Sequence, residues 1–216
     1  MKRTRKMYVG ATSAVLISSL ALTGTVVTSG ASADPAANRL ALHADLDPLN
    51  NSGASGRAKV VFHGKRAHVS IDAHDLLKNA PHAQHIHFGA KARHECPSVA
   101  KDDRNNDQRL NTVDGLPAYG PIRKSLTTRG KTGPKSGLAV NRFPMTPNGN
   151  EHYDRTIRIN SDKVRRGVKD GKGVLVIHGV DYNGNGKYDF RSAGKSELDP
   201  NLPAEATDPA LCGVLH

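Results

Sequence analysis

The sequence contains no tryptophan, and aromatic residues make up only 4% of its 216 residues. Its 31 Lys and Arg residues outnumber its 20 acidic residues, and the resulting net charge of +11 attracts anions in general. The basic residues are dispersed along the chain, however, and they form no nucleic-acid-binding motif. Because single-stranded nucleic acids are commonly bound by aromatic stacking, this composition argues against a nucleic-acid partner.

Long apolar runs are also missing. Residues 14–22 are apolar, but serines interrupt them, and they fall short of the roughly 20 residues that span a bilayer. A basic segment, residues 1–6, precedes this stretch, and the small residues 31–33 follow it. This order is typical of a secretory signal peptide with its cleavage site. We predict that residues 1–33 are removed, that residues 34–216 form one secreted domain, and that no segment spans a membrane.

Cysteine occurs only twice, as Cys96 and Cys212. In the oxidising environment that a secreted protein meets, an even number of cysteines usually forms disulfide bonds. We therefore predict a bridge between the two, which would tie the segment just after residue 87 to the C-terminus. Two free thiols are the alternative.

Helical periodicity is almost absent from the sequence. Short segments of alternating apolar and polar residues are separated by Gly, Pro, Asn and Asp, which is typical of β-strands joined by turns. The predicted strands are residues 39–46, 57–63, 66–72, 84–88, 122–128, 138–143, 153–159, 173–179 and 210–215. Residues 91–120 are predicted to form a long loop, and residues 161–170 one or two helical turns. The pattern indicates an all-β sandwich or barrel with long loops.

The most informative motif is His85-Ile86-His87, which lies in a predicted strand. Side chains alternate between the faces of a strand, so both histidines project from one face while Ile86 projects from the other. Neutral imidazole nitrogens bind copper, zinc, nickel and iron. A later apolar run ends in His178 and offers a third imidazole. These residues predict a metal site; a histidine-rich surface that faces solvent is the alternative.

Two polar segments resemble calcium-binding loops, in which oxygen ligands recur at alternate positions. The first segment supplies Asp103, Asn105, Asp107, Asn111 and Asp114. The second supplies Asp181, Asn183, Asn185 and Asp189. Both are candidate calcium sites, although the first has Gln108 where such loops have glycine. Turns rich in Asp and Asn that bind no ion are the alternative.

The order of these motifs resembles that of the copper/zinc superoxide dismutases. The motifs are His85-Ile86-His87, then a cysteine, then Val176-Ile177-His178, then Leu211-Cys212-Gly213-Val214. Residues 56–72 and 83–87 look at least as much like the CHRD domains of secreted proteins. Together the two resemblances extend from about residue 39 to the C-terminus, and they rest on short motifs. They imply a Greek-key-like β-sandwich of the superoxide dismutase type.

By resemblance to the dismutases, copper is expected at three histidines, and a fourth histidine is a candidate ligand. The three are His85, His87 and His178. The candidates for the fourth ligand, His94 and His82, lie at a different place from the ligand of that family. The same resemblance implies that the bridge from Cys96 to Cys212 anchors the active-site loop.

The sequence also departs from the dismutases. No histidine lies between Cys96 and His152, so the bridging histidine and the zinc ligands of that family have no counterpart, and zinc is not expected. Pro209 stands where the family has the arginine that guides superoxide. Any enzymatic activity is expected to be redox chemistry at copper, because no serine-nucleophile motif is present and both cysteines are assigned to the bridge.

We therefore predict a secreted copper-binding β-sandwich protein, with redox chemistry as its candidate activity. The alternative is a non-catalytic extracellular module of the CHRD type, whose histidines are structural or exposed to solvent. Metal content separates the two, since the module would hold less than one equivalent of any transition metal. Because histidine binds a metal ion only when neutral, copper affinity is expected to fall as the pH drops through the ordinary histidine range.

Overall fold

Eight β-strands make up most of the regular structure in the computed structural model, which describes residues 39–216. The strands are β1 (Arg39–Pro48), β2 (Ser55–His63), β3 (Arg66–His74), β4 (Gln84–His87), β5 (Ile122–Ser125), β6 (Glu151–Arg158), β7 (Gly173–His178) and β8 (Pro209–Leu215). The prediction of an all-β fold is confirmed. The predicted signal peptide, residues 1–33, lies outside the described residues.

One half of the sheet contains β1, β2, β3 and β6, which pair in that order and are antiparallel. Alternation in the sequence determines which of their side chains are buried. Val60 and Phe62 of β2 and Val69 and Ile71 of β3 are fully buried, whereas the residues between them are half-buried. Gly64 closes the β2–β3 hairpin at φ +58, a backbone conformation that glycine adopts without steric cost.

The other half contains β5, β4, β7 and β8, which are also antiparallel. It joins the first half where Asp47 and Pro48 of β1 pair with Cys212 and Leu211 of β8. The result is one curled sheet in the order β5-β4-β7-β8-β1-β2-β3-β6. Apolar side chains from both halves meet in a single core. They include Leu42, Val60, Val69, Ile86, Ile157, Leu175, Ile177 and Leu211.

Four short α-helices lie between the strands, and none of the helices in residues 39–216 is long and apolar enough to cross a membrane. They are α1 (Val99–Asp102), α2 (Thr112–Tyr119), α3 (Asp162–Gly167) and α4 (Ala204–Thr207). Helix α3 falls within the helical turns predicted for residues 161–170. A π-helical turn, Val168–Lys172, follows it and leads into β7.

Two expectations about local structure were wrong. Residues 91–120 contain α1 and α2, and α2 begins with a reciprocal cap: the Asn111 side chain accepts from the Asp114 N–H, and the Asp114 carboxylate accepts from the Asn111 N–H. Residues 138–143 contain a 3₁₀-helix, Val140–Arg142, instead of a strand. The N–H groups of Val140, Arg142 and Phe143 donate to carbonyls two or three residues earlier, so they are not free to pair with a neighbouring strand.

Cys96 and Cys212 form a disulfide bond, as the sequence predicted. Cys212 is fully buried in β8, where it pairs in register with Val176 of β7. The two cysteines belong to a small apolar cluster that also contains the ring of Tyr119 from α2. The bond therefore ties the segment that follows β4 to the surface of the sheet opposite the main core.

We expect the denatured, unreduced protein to contain no thiol that reacts with a maleimide probe, because its only two cysteines are bonded to each other. Replacing both with Ser should lower the free energy of unfolding by about 2–5 kcal/mol, because the bond closes a loop across 116 residues of sequence. Urea denaturation measures this loss. The reduced wild-type protein is the labelling control, and two labelled thiols without reduction would contradict the structure.

Candidate metal centre

The outer face of β4 and β7 carries the three histidines that the sequence predicted as copper ligands. Ile86 of β4 belongs to the core, so His85 and His87 project from the opposite face of the strand. Ile177 of β7 also belongs to the core, so His178 projects outward in the same way. Because β4 and β7 are paired neighbours in the sheet, the three imidazoles meet on one surface.

The three imidazoles are close enough to share one metal ion. Each offers one ring nitrogen, and the three nitrogens lie within 4.8 Å of one another. Two nitrogens bound to one ion at about 2 Å are at most about 4 Å apart, so the observed spacing is close to that of ligands sharing one ion. Among residues 39–216, no other group of three or more His, Cys, Asp or Glu side chains is arranged in this way.

Backbone carbonyl groups hold the opposite nitrogen of each ring. The pairs are His85 Nε2 with Gly137 O at 3.1 Å, His87 Nδ1 with Gly120 O at 2.7 Å, and His178 Nδ1 with Thr207 O at 2.6 Å. A carbonyl oxygen can only accept, so each of these nitrogens carries the proton and the other nitrogen carries a lone pair. Those other nitrogens, His85 Nδ1, His87 Nε2 and His178 Nε2, are buried and have no hydrogen-bond partner.

Burial keeps the three imidazoles neutral. Loss of solvation lowers the pKa of His87 to about 3 and that of His178 to about 4. Burial also lowers the pKa of His85 well below its ordinary value, and the neighbouring His178 and His87 lower it further. The lone pairs therefore remain available at a pH where an exposed histidine is protonated. The sequence predicts that copper affinity falls within the ordinary histidine pH range. With these lowered pKa values, we expect the fall at a lower pH.

A fourth buried histidine, His82, supports the backbone behind this site. Its Nδ1 lies 2.8 Å from the carbonyl oxygen of His178, and the hydroxyl of Tyr188 lies 3.1 Å from its Nε2. Gly179 leaves room for this contact, because a Cβ atom there would lie only 2.0 Å from the Tyr188 hydroxyl oxygen. His82 thus contacts the backbone of His178, one of the three candidate metal ligands, but the His82 ring does not belong to the group of three histidines.

His94 does not join the group either. Its Nε2 contacts the carbonyl oxygen of Gly89 at 2.8 Å, and its ring stacks on Phe88 with the centroids 5.7 Å apart. The structure thus brings together three of the four predicted metal ligands. Within residues 39–216, no His, Cys, Asp or Glu side chain stands in for the fourth.

The two candidate calcium loops share one local geometry. In each, the first carboxylate, Asp103 or Asp181, accepts hydrogen bonds from the backbone N–H groups four and five residues later. In the first loop Asn105 also contacts Asp107, and in the second loop Asn183 and Asn185 both donate to Asp189. Asn111 and Asp114 have a different role, since they cap α2 and are buried. Calcium at either loop stays a prediction.

No sequence pattern marks the carbonyl groups of Gly120, Gly137 and Thr207 as part of the site, because every residue has a backbone carbonyl. They also belong to three segments that are far apart in the chain.

No family model matches the chain, and no curated protein matches it either. The function is therefore inferred from the residues and their arrangement.

We expect NMR titration of the metal-free protein to separate its histidines into two groups. The rings of His87 and His178 should stay neutral to below about pH 5, because burial lowers their pKa values to about 3 and about 4. His152 should titrate above pH 6.5, because the Asp72 carboxylate, 2.6 Å from its Nδ1, raises its pKa. Midpoints near 6.5 for the two cluster rings would contradict a buried, neutral site.

The same pKa differences determine how acid acts on stability. Between pH 6.5 and about 4 the unfolded chain binds protons that folded His87 and His178 do not bind. Each therefore lowers the free energy of unfolding by about 1.4 kcal/mol per pH unit of acidification. Burial acts oppositely on Glu151 and Asp208, whose pKa values rise to about 8 and about 7. Protonation of these two carboxyl groups stabilises the folded state, and this stabilisation is lost as the pH rises through those values. Below pH 6.5 it partly offsets the destabilisation that the two histidines cause.

Millimolar calcium should raise the melting temperature if the two loops bind it, because an ion that binds only the folded state stabilises it by about 2.7 kcal/mol at 100 times its dissociation constant. Asp103→Asn and Asp181→Asn, each of which removes a carboxylate, should reduce the shift. Asp170→Asn, at an exposed carboxylate outside both loops, is the control. A melting temperature that neither calcium nor a chelator changes would count against both sites.

Proposed function

We propose that this protein is a secreted copper-binding protein and that His85, His87 and His178 hold the ion. Two observations carry this proposal: the three buried rings each have a nitrogen within 4.8 Å of the other two, and each ring has one nitrogen without a hydrogen-bond partner. Secretion is supported by the predicted signal peptide, and the disulfide bond is compatible with an oxidising compartment.

Packing alone does not account for the unpaired nitrogens. Buried polar atoms nearly always have a hydrogen-bond partner, and a buried polar atom without one costs about 1–3 kcal/mol. Here each of the three grouped rings has one such atom, and the other nitrogen of each ring is already held by a carbonyl. A single cation would give all three lone pairs a partner, and the carbonyls would orient the rings toward it, as the outer contacts of metal-bound histidines commonly do.

The ligand set favours copper among the transition metals. The three ligands are neutral imidazoles, and within residues 39–216 no carboxylate or thiolate joins them. For a given set of nitrogen ligands, affinity among the divalent ions rises to Cu²⁺ and falls again at Zn²⁺. Zinc is therefore the competitor that an experiment must include.

The resemblance to the dismutases and to CHRD domains supports two finer proposals. The first is that the curled sheet is a Greek-key-like sandwich of the superoxide dismutase type. The second is a redox role, since bound copper supplies one-electron chemistry while the three histidines bind and orient it. Pro209 in place of the guiding arginine gives no support for rapid capture of superoxide, so metal binding is proposed as the function and redox chemistry as secondary to it.

Wild-type protein prepared without a His-tag should bind one equivalent of Cu²⁺ more tightly than Zn²⁺ in competition calorimetry, and it should retain the copper at pH 5. His178→Ala should weaken copper binding at least about 100-fold, because it removes one of three ligands. His68→Ala, at an exposed histidine of β3 on the other half of the sheet, should leave the affinity unchanged.

Copper should also raise the melting temperature of the wild type but not that of His178→Ala. Circular dichroism of the metal-free variant checks that it folds, and His85→Gln serves as a second test of the site. The proposal would be overturned if the wild type bound less than one equivalent of copper, or if His178→Ala and His85→Gln bound copper as tightly as the wild type. The protein would then be interpreted as a non-catalytic extracellular module.

A further inference from the structure

The outer face of β1, β2, β3 and β6 is open to solvent. Along these strands, every residue that points away from the core is exposed or half-buried, so no described element packs on this face. The face carries no Phe, Tyr or Trp side chain. It is therefore a broad polar surface that a partner can reach.

One end of this face carries a row of basic residues. The strand register places Arg39 of β1 opposite His63 of β2. It also places Arg66 of β3 between His63 on one side and Arg158 of β6 on the other. Residues directly opposite each other in antiparallel strands point to the same face, and neighbouring strands lie about 4.8 Å apart, so the row spans about 14 Å. Lys65 adjoins it in the hairpin turn, and these five residues are called the basic row.

The described residues do not neutralise the basic row. None of its Arg and Lys side chains forms a salt bridge within residues 39–216. The nearest acid of this face along β6 is Asp154, four residues or about 13 Å from Arg158, and it is paired with His68. Asp162 of α3, which lies close enough to the hairpin for Lys65 to lower its pKa, is paired with Arg165.

The basic row is unfavourable for the folded chain by itself. Like charges directly opposite each other on antiparallel strands are destabilising, and Arg66 faces Arg158 in this way. The core does not need either side chain, because both are exposed. A negatively charged partner would relieve the repulsion, so the arrangement suits the recognition of negative charge.

The shape of the surface favours an extended polymer over a small anion. An exposed cation attracts a single anion weakly in salt solution, whereas a polymer that contacts several cations at once binds more tightly because its charges are linked. The face lacks the aromatic side chains on which nucleic-acid bases stack, and it lacks the large apolar side chains that anchor a protein in a membrane surface. Sulfate and carboxylate groups, in contrast, match the fork of a guanidinium.

We propose that the basic row binds an acidic polysaccharide, a flexible chain of sugars that carries sulfate or carboxylate groups and lies across β1, β2, β3 and β6. The copper site lies on the other half of the sheet, so this inference does not depend on it. It shares with the proposed function only the secreted location, where such polymers are met.

Three polymers with one backbone test the proposal: dextran sulfate, carboxymethyl dextran and neutral dextran. At about 0.15 M NaCl, calorimetry should show that the protein, with or without copper, binds at least one acidic dextran and does not bind neutral dextran. The tighter of the two acidic polymers identifies the acidic group, and its affinity should fall as salt rises. Failure of both acidic dextrans to bind, or tighter binding of duplex DNA or of phosphatidylglycerol vesicles, would overturn the inference.

Variants that remove charge locate the site. Arg66→Gln combined with Arg158→Gln should weaken binding of the tighter acidic dextran at least about tenfold and make its salt dependence shallower, because two ionic contacts are lost. Arg66→Lys combined with Arg158→Lys keeps both charges and should bind more tightly than the Gln pair.

The matched control is Lys91→Gln combined with Arg104→Gln. Both residues are exposed, lie between β4 and β5, and form no salt bridge with the described residues. The control removes the same amount of charge and should retain the wild-type affinity, and circular dichroism checks that every variant folds. An equal loss of affinity in the two Gln pairs would mean that only net charge matters, which would overturn the basic row as the site.

Discussion

Three hydrogen bonds from imidazole N–H groups to backbone carbonyls determine the arrangement of the candidate site. They connect the outer face of β4 and β7 to Gly120, Gly137 and Thr207, which lie in three separate covering segments. Each bond fixes a tautomer, a ring orientation and the position of a loop at once. If a covering segment shifted, the ring that it holds would turn its lone pair away from the other two.

The covering segments are themselves held by long-range contacts. The Arg109 guanidinium pairs with the buried Asp208 carboxylate at 3.0 Å, and Asp208 follows Thr207 directly. The Thr112 hydroxyl donates to the same Thr207 carbonyl that holds His178. On the other side, the disulfide bond fixes the segment after β4 to β8. Arg109 lies within the first candidate calcium loop, so the position of that loop and the carbonyl behind His178 are mechanically linked.

All three imidazoles of the site are buried, and this burial explains its electrostatic character. Burial removes solvent from all three imidazoles and holds their pKa values low, so protons do not compete for the lone pairs near neutral pH. The same low polarity makes an uncompensated divalent charge costly.

The sequence by itself determined what depends on neighbours along the chain: alternating burial in the strands, the hairpin at Gly64, His85 and His87 on one face, and the pairing of the only two cysteines. Only the tertiary structure decided that His178 joins this pair while His94 does not. It also decided which carbonyls orient the rings. Strand periodicity is a local property of the backbone, whereas the meeting of β4 with β7, and the loops that cover them, depend on pairing between residues about 90 apart in the chain.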